Sequence, residues 1–243
     1  MRRVKSILRY SVDALLHLIF FSQERCAICN ATENLGDMGL CKACEAEVAR
    51  HTDPKCPKCG RQSNGLCNNC EKTDMAFDGG DMVFIYEGVI RDLLLAFKND
   101  GGRQYATFFA KWMVHQMSGH DWPQFDVVTS VPSYGFRKFQ RGYNPPELLA
   151  KAIADGIHVP YDPNLLARVH HRGHMTDKSA KERQVQATKN FARGIGAVGG
   201  KTVLLIDDIT TTGSTLHECA RLLKGMGADG VYVLAAAGGR SLN

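Results

Sequence analysis

Two adjacent carboxylates and a run of hydroxyl residues stand together between residues 203 and 215. Residues 203–206 are all apolar, which is typical of a buried parallel strand. Asp207 and Asp208 follow directly, and we expect them to mark the point where this strand leaves the sheet. Small hydroxyl residues and one glycine then open a helix: Thr210, Thr211, Thr212, Gly213, Ser214 and Thr215.

This order of residues predicts a site for a ribose 5-phosphate. Hydroxyls and free backbone amides converge at a helix N-terminus, where the helix dipole favours an anion such as phosphate. The two carboxylates would repel a second phosphate, but they can accept hydrogen bonds from the vicinal hydroxyls of a ribose. A Walker loop is excluded because its lysine is absent. The alternative is a polar turn that caps the helix, with Asp207 and Asp208 as solvated acids.

Cysteines form the second group of residues with evident chemistry. Eight of the nine cysteines fall in four C-x-x-C pairs, and Cys219, on an apolar helical stripe, is predicted to be a core residue. Two thiolates at this spacing can grip one tetrahedral ion, so the pairs predict two structural zinc sites. The eight candidate ligands are Cys26, Cys29, Cys41, Cys44, Cys56, Cys59, Cys67 and Cys70.

The pairing of these knuckles is left open by their spacing. The simplest arrangement joins the first four cysteines around one ion and the last four around another, while an interleaved arrangement is also compatible. An iron-sulfur cluster or redox dithiols are the alternatives to zinc. A dense group of C-x-x-C units followed by a long segment nearly free of cysteine favours a reducing compartment, and therefore a cytoplasmic protein.

The elements that must position these residues alternate in the α/β manner. Strands are predicted at 82–86, 125–131 and 202–206, and helices at 89–97 and 105–117, with a further helix after the hydroxyl loop. Such alternation predicts a mostly parallel sheet flanked by helices, with ligands beyond the carboxyl ends of the strands.

Three regions are expected along the chain. Residues 1–25 carry apolar residues at helical spacing and are predicted to form an amphipathic helix that packs on the protein, with membrane-surface association as the alternative. Its apolar run is too short to span a bilayer, so no transmembrane segment is expected. Residues 26–72 form the cysteine module, a polar linker is predicted at 71–80, and the α/β domain is expected at 80–243.

Composition sets the remaining limits. The chain has 243 residues, 44% of them hydrophobic and 23% charged, which is ordinary for a globular protein able to bury a core. Its formal net charge of +5 falls to +1 if eight thiolates bind two Zn²⁺ ions. Bulk charge therefore gives no argument for a polyanionic partner.

The motifs together resemble the ComF family over essentially the whole chain. The stretch from Asp207 to Thr215 looks like the phosphoribosyl pyrophosphate (PRPP) signature of type I phosphoribosyltransferases, and in this family it follows N-terminal C-x-x-C pairs. Further resemblance lies in Phe97-Lys98, in Val131-Pro132 leading to Arg141-Gly142-Tyr143-Asn144, and in residues 179–183 ahead of Phe191.

The resemblance implies a type I phosphoribosyltransferase fold with a small N-terminal zinc-ribbon module, and a role in DNA uptake during natural transformation. It implies that residues 211–215 hold the 5-phosphate of PRPP and that Asp207 and Asp208 hold the ribose hydroxyls. Residues 130–133, which include Val131 and Pro132, match the loop that contacts pyrophosphate. Residues 168–183 match a mobile loop that closes over the site.

Transfer chemistry explains why such groups are needed. Displacing pyrophosphate from the anomeric carbon develops positive charge on the sugar and negative charge on the leaving group. Mg²⁺ and basic side chains would stabilise the leaving group, and we expect catalysis to depend on Asp207 and Asp208 together with Arg168 and Lys181. The further candidate cations for binding PRPP are Arg137 and Arg141, with Lys138, Lys178 and Arg183 in the same two loops.

The chain departs from the family pattern at the acceptor side and in the closing loop. Pro145 and Met175 stand where glutamine is usual, and Gln186 stands where asparagine is usual. Two hypotheses follow: a Mg²⁺-dependent phosphoribosyltransferase with an unidentified acceptor, or a non-catalytic PRPP sensor. The second would bind single-stranded DNA or a competence protein through its cysteine module, whose basic residues Lys42, Arg50, Lys55, Lys58 and Arg61 are offset by Glu45, Glu47 and Asp53.

Overall fold

A computed structural model describes residues 25–99, 102–133, 142–169 and 190–240. The helices of this part are α1 (Lys42–Glu47), α2 (Asn68–Lys72), α3 (Gly88–Asn99), α4 (Tyr105–Met117), α5 (Pro145–Ile157) and α6 (Ser214–Gly225). The strands are β1 (Gly79–Ile85), β2 (Val127–Ser130), β3 (Leu166–Arg168), β4 (Phe191–Arg193), β5 (Thr202–Thr210) and β6 (Gly230–Gly238).

The main sheet has four parallel strands in the order β1-β6-β5-β2. The predicted fold class is thereby confirmed, and helix α4 has the predicted bounds. Strand β6 has no counterpart among the predicted strands. A two-stranded antiparallel pair, β3 with β4, lies apart from this sheet.

Strand β5 is longer than predicted. Its pairing with β2 stops at Ser130 and Ile206, but its pairing with β6 continues to Thr210 and Gly238. Asp207 and Asp208 therefore lie inside the strand, and the prediction that they follow its end was wrong. Because β6 continues beside them, the acids remain in extended backbone, and no strand of the described ranges pairs with the other edge of β5 at this point.

The core has two layers, one on each face of the sheet. Leu204 and Ile206 of β5 join the cluster that contains α3, α4 and α5, and Val203 and Leu205 join the cluster that contains α6. This division follows from the alternation of side chains along a strand. Each layer also includes cysteines of one group: Cys26, Cys41 and Cys44 lie in the layer of α4, while Cys29 is exposed, and all four cysteines of the second group lie in the layer of α6.

The first cysteine group is fixed to α4 by polar contacts at its edge. The Lys111 ammonium, 6% exposed, donates to the carbonyl of Asp37, and the Trp112 indole donates to the carbonyl of Met38 at 3.0 Å. The guanidinium of Arg50 lies 5.0 Å from the Trp112 ring centroid. Burial lowers the pKa of Lys111, as expected for an ammonium removed from water.

The predicted linker at 71–80 packs against the core along much of its length. Met75 and Phe77 are buried in the α6 layer, and Asp78 accepts the amide of Val231 at 2.7 Å. Strand β1 begins within this stretch, at Gly79. The cysteine module is therefore joined to the α/β domain by packed chain.

Asp81 is the polar centre of the contact between the second cysteine group and the domain. Its fully buried carboxylate contacts Lys55 at 2.9 Å, Gln116 at 2.8 Å and His120. Burial opposes ionisation of this carboxyl, but the hydrogen bond from His120 and the charge of Lys55 hold its pKa below the usual range. Three segments distant in sequence thus meet at one charge.

Gly60 allows the second knuckle to approach Asp81, and replacing it should be costly. Its φ is +74°, and an added Cβ would lie 2.4 Å from the Asp81 Cα. We expect Gly60→Ala to lower the free energy of unfolding by about 3 kcal/mol or more. The cost of placing alanine in a left-handed backbone conformation adds to the cost of its steric clash with Asp81. Gly65, with φ +87° and open space around it, is the matched control.

Urea unfolding of the two variants separates these contributions. Gly65→Ala has only the cost of the left-handed backbone conformation, so we expect its free energy of unfolding to fall by about 1 kcal/mol. Equal losses for the two variants would contradict the close approach of Gly60 to Asp81.

Several predictions fall on residues outside the described part of the chain. These include nearly all of the N-terminal helix at 1–25, the whole segment 170–189, and the cations Arg137, Arg141 and Lys181. Within the described ranges, none of the helices combines the length and the apolar character needed to cross a membrane.

Candidate PRPP site and metal centres

A cleft of about 280 Å³ opens at the carboxyl ends of β2 and β5. This is the edge of a parallel sheet where ligands are expected to bind. The cleft brings together five segments of the chain. Its lining residues are Lys98, Val131, Pro132, Ser133, Asn144, Pro145, Pro146, Arg168, Asp207, Asp208 and Thr215.

Asp207 and Asp208 are the buried acids of this cleft, 7% and 5% exposed. The Asp207 Oδ1 accepts the backbone amide of Asp208 at 2.9 Å, and the Asp208 Oδ1 lies 2.9 Å from the Lys98 ammonium. Burial, and then the neighbouring charge of Asp208, raise the pKa of Asp207. A bound cation would lower that pKa again, since it stabilises the ionised form.

The loop after β2 is held beside these acids by backbone contacts. The amide of Val131 donates to the carbonyl of Ile206 at 2.9 Å, and the side-chain amide of Asn144 donates to the carbonyl of Val131 at 3.4 Å. Asn144 precedes Pro145 and Pro146 in the first turn of α5, where proline fits because no amide donor is needed. Residues 131–133 and the start of α5 are therefore positioned together.

The hydroxyl loop forms a tight turn into α6. Gly213 adopts φ +81°, which a residue with a side chain rarely takes, and the carbonyl of Gly213 accepts the amide of His217 at 2.8 Å. The Thr212 and Ser214 hydroxyls lie 2.8 Å apart, and the amide of Ser214 points at the Thr212 hydroxyl at 3.3 Å. Thr211, Thr212, Ser214 and Thr215 are all exposed.

The loop faces two clefts rather than one. Thr215 lines the cleft of the acidic pair, whereas Thr211 and Thr212 line a neighbouring cleft of about 390 Å³ against the second cysteine group. Thr210 is buried at the end of β5. The predicted phosphate residues thus border the acidic cleft without all opening into it.

Arg168 is the one predicted catalytic cation within the described residues. It lies at the end of β3, lines the acidic cleft, and its guanidinium stacks 4.3 Å from the Phe191 ring centroid. The pairing of β3 with β4 brings Phe191 opposite Arg168. A stacked guanidinium loses little orientational freedom when it binds an anion.

Sequence reasoning did not assign site roles to Lys98 and Asn144. Lys98 lies in the last turn of α3, next to the fully buried Phe97, so the packing of Phe97 fixes where Lys98 emerges. Asn144 is 5% exposed and bonds the Val131 carbonyl. Lys98 and Asn144 both belong to sequence motifs that resemble the ComF family. That resemblance was the only indication in the sequence that they could lie at the site.

The eight knuckle cysteines form two separate groups, which is the simplest of the pairings allowed by the sequence. In each group, the four sulfurs lie within 4.8 Å of one another; one group is Cys26, Cys29, Cys41 and Cys44, and the other is Cys56, Cys59, Cys67 and Cys70. The side-chain hydrogen bond from Cys70 lowers the pKa of Cys59. Four sulfur ligands in one tight group fit a tetrahedral ion such as Zn²⁺.

A family model named "Phosphoribosyl transferase domain" matches residues 147–242. This range includes α5, the acidic pair and the hydroxyl loop, but not the cysteine groups. The chain therefore contains a phosphoribosyltransferase-type domain.

Relatives extend the match toward the N-terminus. "Competence protein F" of Haemophilus influenzae is 27% identical over 222 residues, which is 88% of this chain and 96% of the relative. "DNA utilization protein YhgH" of Escherichia coli is 27% identical over 217 residues, covering 86% of this chain and 94% of the relative. "Competence protein ComFC" of Bacillus subtilis is 26% identical over 195 residues, 77% of this chain and 78% of the relative.

Among solved structures, the "allosteric regulatory enzyme of purine biosynthesis" aligns with 55% of this chain at 22% identity and a TM-score of 0.38. The chain spans about a quarter of that protein, as the alignment covers 26% of it. Three findings point to the same kind of protein. They are the match to the phosphoribosyltransferase domain, the relatives that align over most of the chain, and the two cysteine groups that precede the parallel sheet. On this evidence, the chain is similar over most of its length to the competence proteins of the ComF type.

Proposed function

We propose that the chain binds PRPP with Mg²⁺ and transfers ribose 5-phosphate to an acceptor, in a role connected with DNA uptake. The observation that carries this proposal is the cleft in which the acidic pair, Lys98, Arg168 and the loop at 131–133 meet. Acids for a ribose and cations for a pyrophosphate are both needed at such a site, and both line this cleft.

Each part of PRPP has a candidate set of partners. Residues 211–215 would bind the 5-phosphate through amides and hydroxyls, and Asp207 and Asp208 would accept hydrogen bonds from the ribose hydroxyls. The backbone of residues 131–133 and the Arg168 guanidinium would bind the pyrophosphate. Arg137, Arg141 and Lys181, predicted for the same role, lie outside the described residues.

The transfer would break one bond and form one. The acceptor's lone pair forms a bond to the anomeric carbon, the bond from that carbon to the pyrophosphate oxygen breaks, and pyrophosphate leaves with the electron pair. The acceptor then loses a proton if it carried one. Mg²⁺, for which carboxylates and phosphate oxygens are suitable ligands, supplies charge neutralisation to the leaving group when bound.

In this proposal Zn²⁺ has a structural role in both cysteine groups. Their sulfurs are largely enclosed by the two core layers, so each ion would stabilise the packing of its module against the sheet. Thiolate sites of this kind suit a reducing compartment, and we propose that the protein acts in the cytoplasm.

A non-catalytic PRPP-sensing adaptor is the second candidate function. It is favoured by the relatives' names, which refer to competence and DNA utilization and not to a transferase. Single-stranded DNA or a competence protein would be its partner. However, Lys55 and Arg61 of the basic set are engaged inside the protein, so exposed cations such as Lys42 and Arg50 would have to provide the contacts.

Calorimetric titration of PRPP with Mg²⁺ tests the site. We expect the double variant Asp207→Asn, Asp208→Asn to bind PRPP roughly 100-fold more weakly than the unmodified protein, since two charge-assisted hydrogen bonds are weakened. Asp92 and Asp155 are exposed acids on α3 and α5, and Asp92→Asn, Asp155→Asn is the charge-matched control. That control should bind normally.

Pyrophosphate release then separates the two functions. Release on adding one member of a nucleobase panel would support the transferase, and binding without release would support the adaptor. For the adaptor, affinity for single-stranded DNA should fall steeply with salt. Absence of PRPP binding by the unmodified protein would contradict both candidates.

A further inference from the structure

Arg61 is a buried cation that connects the second cysteine group to the hydroxyl loop. It is 5% exposed, and its guanidinium donates to the carbonyl of Thr211 and, at 3.3 Å, to the carbonyl of Arg240. No ion pair joins it to a carboxylate within the described ranges. Burying a guanidinium against neutral acceptors is costly, so its position calls for a functional reason.

The backbone of Arg61 belongs to the metal knuckle itself. Its carbonyl accepts the amide of the knuckle residue Cys56 at 2.7 Å. The metal-binding turn therefore fixes the point from which the guanidinium reaches the loop.

Other contacts join the same two segments. The side-chain amide of Asn69 also donates to the Thr211 carbonyl, at 3.5 Å, and the amide of Ala76 donates to the His217 ring at 3.0 Å. The end of the Met75 side chain would lie 3.4 Å from a Cβ placed at Gly213. The second cysteine group and its following segment thus contact the hydroxyl loop and the first turn of α6.

The geometry of the peptide bond gives these contacts a consequence. In a planar trans peptide the carbonyl of Thr211 and the amide of Thr212 point in opposite directions. Holding the carbonyl toward Arg61 and Asn69 turns the amide away from the cysteine group. That amide is one of the donors that a 5-phosphate would need at the start of α6.

We propose that Arg61 is a positioning residue that holds the hydroxyl loop in its phosphate-binding conformation, so that the integrity of the second metal knuckle sets the affinity for the 5-phosphate. The proposal rests on the proposed function of the loop. It gives this cysteine group a part in ligand binding without any contact between the knuckle and the ligand.

Hydrogen exchange of the amides of residues 212–215 tests the conformational part without ligand. We expect faster exchange in Arg61→Met, intermediate exchange in Arg61→Lys, and a smaller increase in Asn69→Ala. Lys72→Met is the control, because Lys72 is an exposed cation on the same cleft with a comparable stem. It should leave the exchange unchanged.

Titration with ribose 5-phosphate tests the functional part. Loss of a charge-assisted hydrogen bond predicts about tenfold weaker binding in Arg61→Met and less than about threefold in Lys72→Met. Metal content is measured alongside, and two equivalents should remain in both variants. If Arg61→Met lost metal, Asn69→Ala would decide, because it replaces no cysteine and removes only the second side-chain donor to the Thr211 carbonyl.

The outcomes are distinguishable from failure of the proposed function. If the unmodified protein bound neither PRPP nor ribose 5-phosphate, the proposed function would fail while the exchange data still tested the positioning. Unchanged exchange in both Arg61→Met and Asn69→Ala would overturn the inference. Equal weakening by Arg61→Met and Lys72→Met would also overturn it, because charge attraction alone would then explain the result.

Discussion

Replacing Cys70 by serine is expected to remove about one of two bound zinc equivalents and to lower the free energy of unfolding by at least about 3 kcal/mol. Structural zinc contributes roughly 10–16 kcal/mol of apparent binding free energy in zinc-finger peptides. The substitution leaves three thiolates at the site, so much of this binding free energy would be lost. Cys70 is buried in the same layer as Leu216 and Val233, so the metal site and the core should loosen together. Metal analysis and urea unfolding measure the two effects.

Cys219 provides the matched control for this prediction. It is fully buried in α6, in the same layer, and belongs to neither metal group. Cys219→Ala should keep two zinc equivalents and cost about 1 kcal/mol, as for an ordinary small core truncation. Retention of two equivalents by Cys70→Ser would contradict the four-sulfur site.

The two metal sites should behave independently. Cys44→Ser should remove the other equivalent, because its group packs on the opposite face of the sheet. Changes at distant sites without shared partners usually add, so the Cys44→Ser, Cys70→Ser double variant should lose both ions.

The second large effect is expected at Asp81. Asp81→Ala should lower the free energy of unfolding by about 3–5 kcal/mol, because removing one member of a buried ion pair leaves the other charge uncompensated. The Lys55 side chain is 12% exposed, and His120 and Gln116 would also lose their acceptor. Equilibrium urea unfolding is the measurement.

A double variant separates the uncompensated charge from the lost contacts. Asp81→Ala, Lys55→Met should be more stable than Asp81→Ala alone, since no buried ammonium then remains without a carboxylate. Glu87→Ala is the control for an exposed carboxylate pair, because Glu87 and Arg240 are 42% and 60% exposed. It should cost about 0–1 kcal/mol. Similar losses for Asp81→Ala and Glu87→Ala would contradict the importance of burial.

Part of the candidate site could be predicted because it is contiguous in the chain. Asp207 and Asp208 lie in β5 and the hydroxyl loop to Thr215 follows that strand directly, so local sequence is enough to suggest their chemistry. Lys98 is different, since its 2.9 Å contact with Asp208 joins residues more than one hundred positions apart. Only the packing of α3 on the sheet brings them together.

The extent of β5 shows a similar limit. The apolar run ends at Ile206, and two acids after it are ordinarily a sign that a strand has ended. Strand β6 continues to pair with β5 as far as Gly238, which keeps the acids in the sheet. The length of β5 was therefore not predicted because its neighbour β6 was not predicted.

By itself, the sequence determined the types of chemistry: thiolate pairs at chelating spacing, two acids followed by hydroxyls, and strands alternating with helices. These features depend on distances of a few residues, which backbone geometry fixes locally. The tertiary structure alone decided that the cysteine groups lie on opposite faces of the sheet, that Lys98 reaches Asp208, and that Arg61 reaches the carbonyl of Thr211. Such contacts join distant segments, and their formation depends on how the whole chain buries its apolar surface.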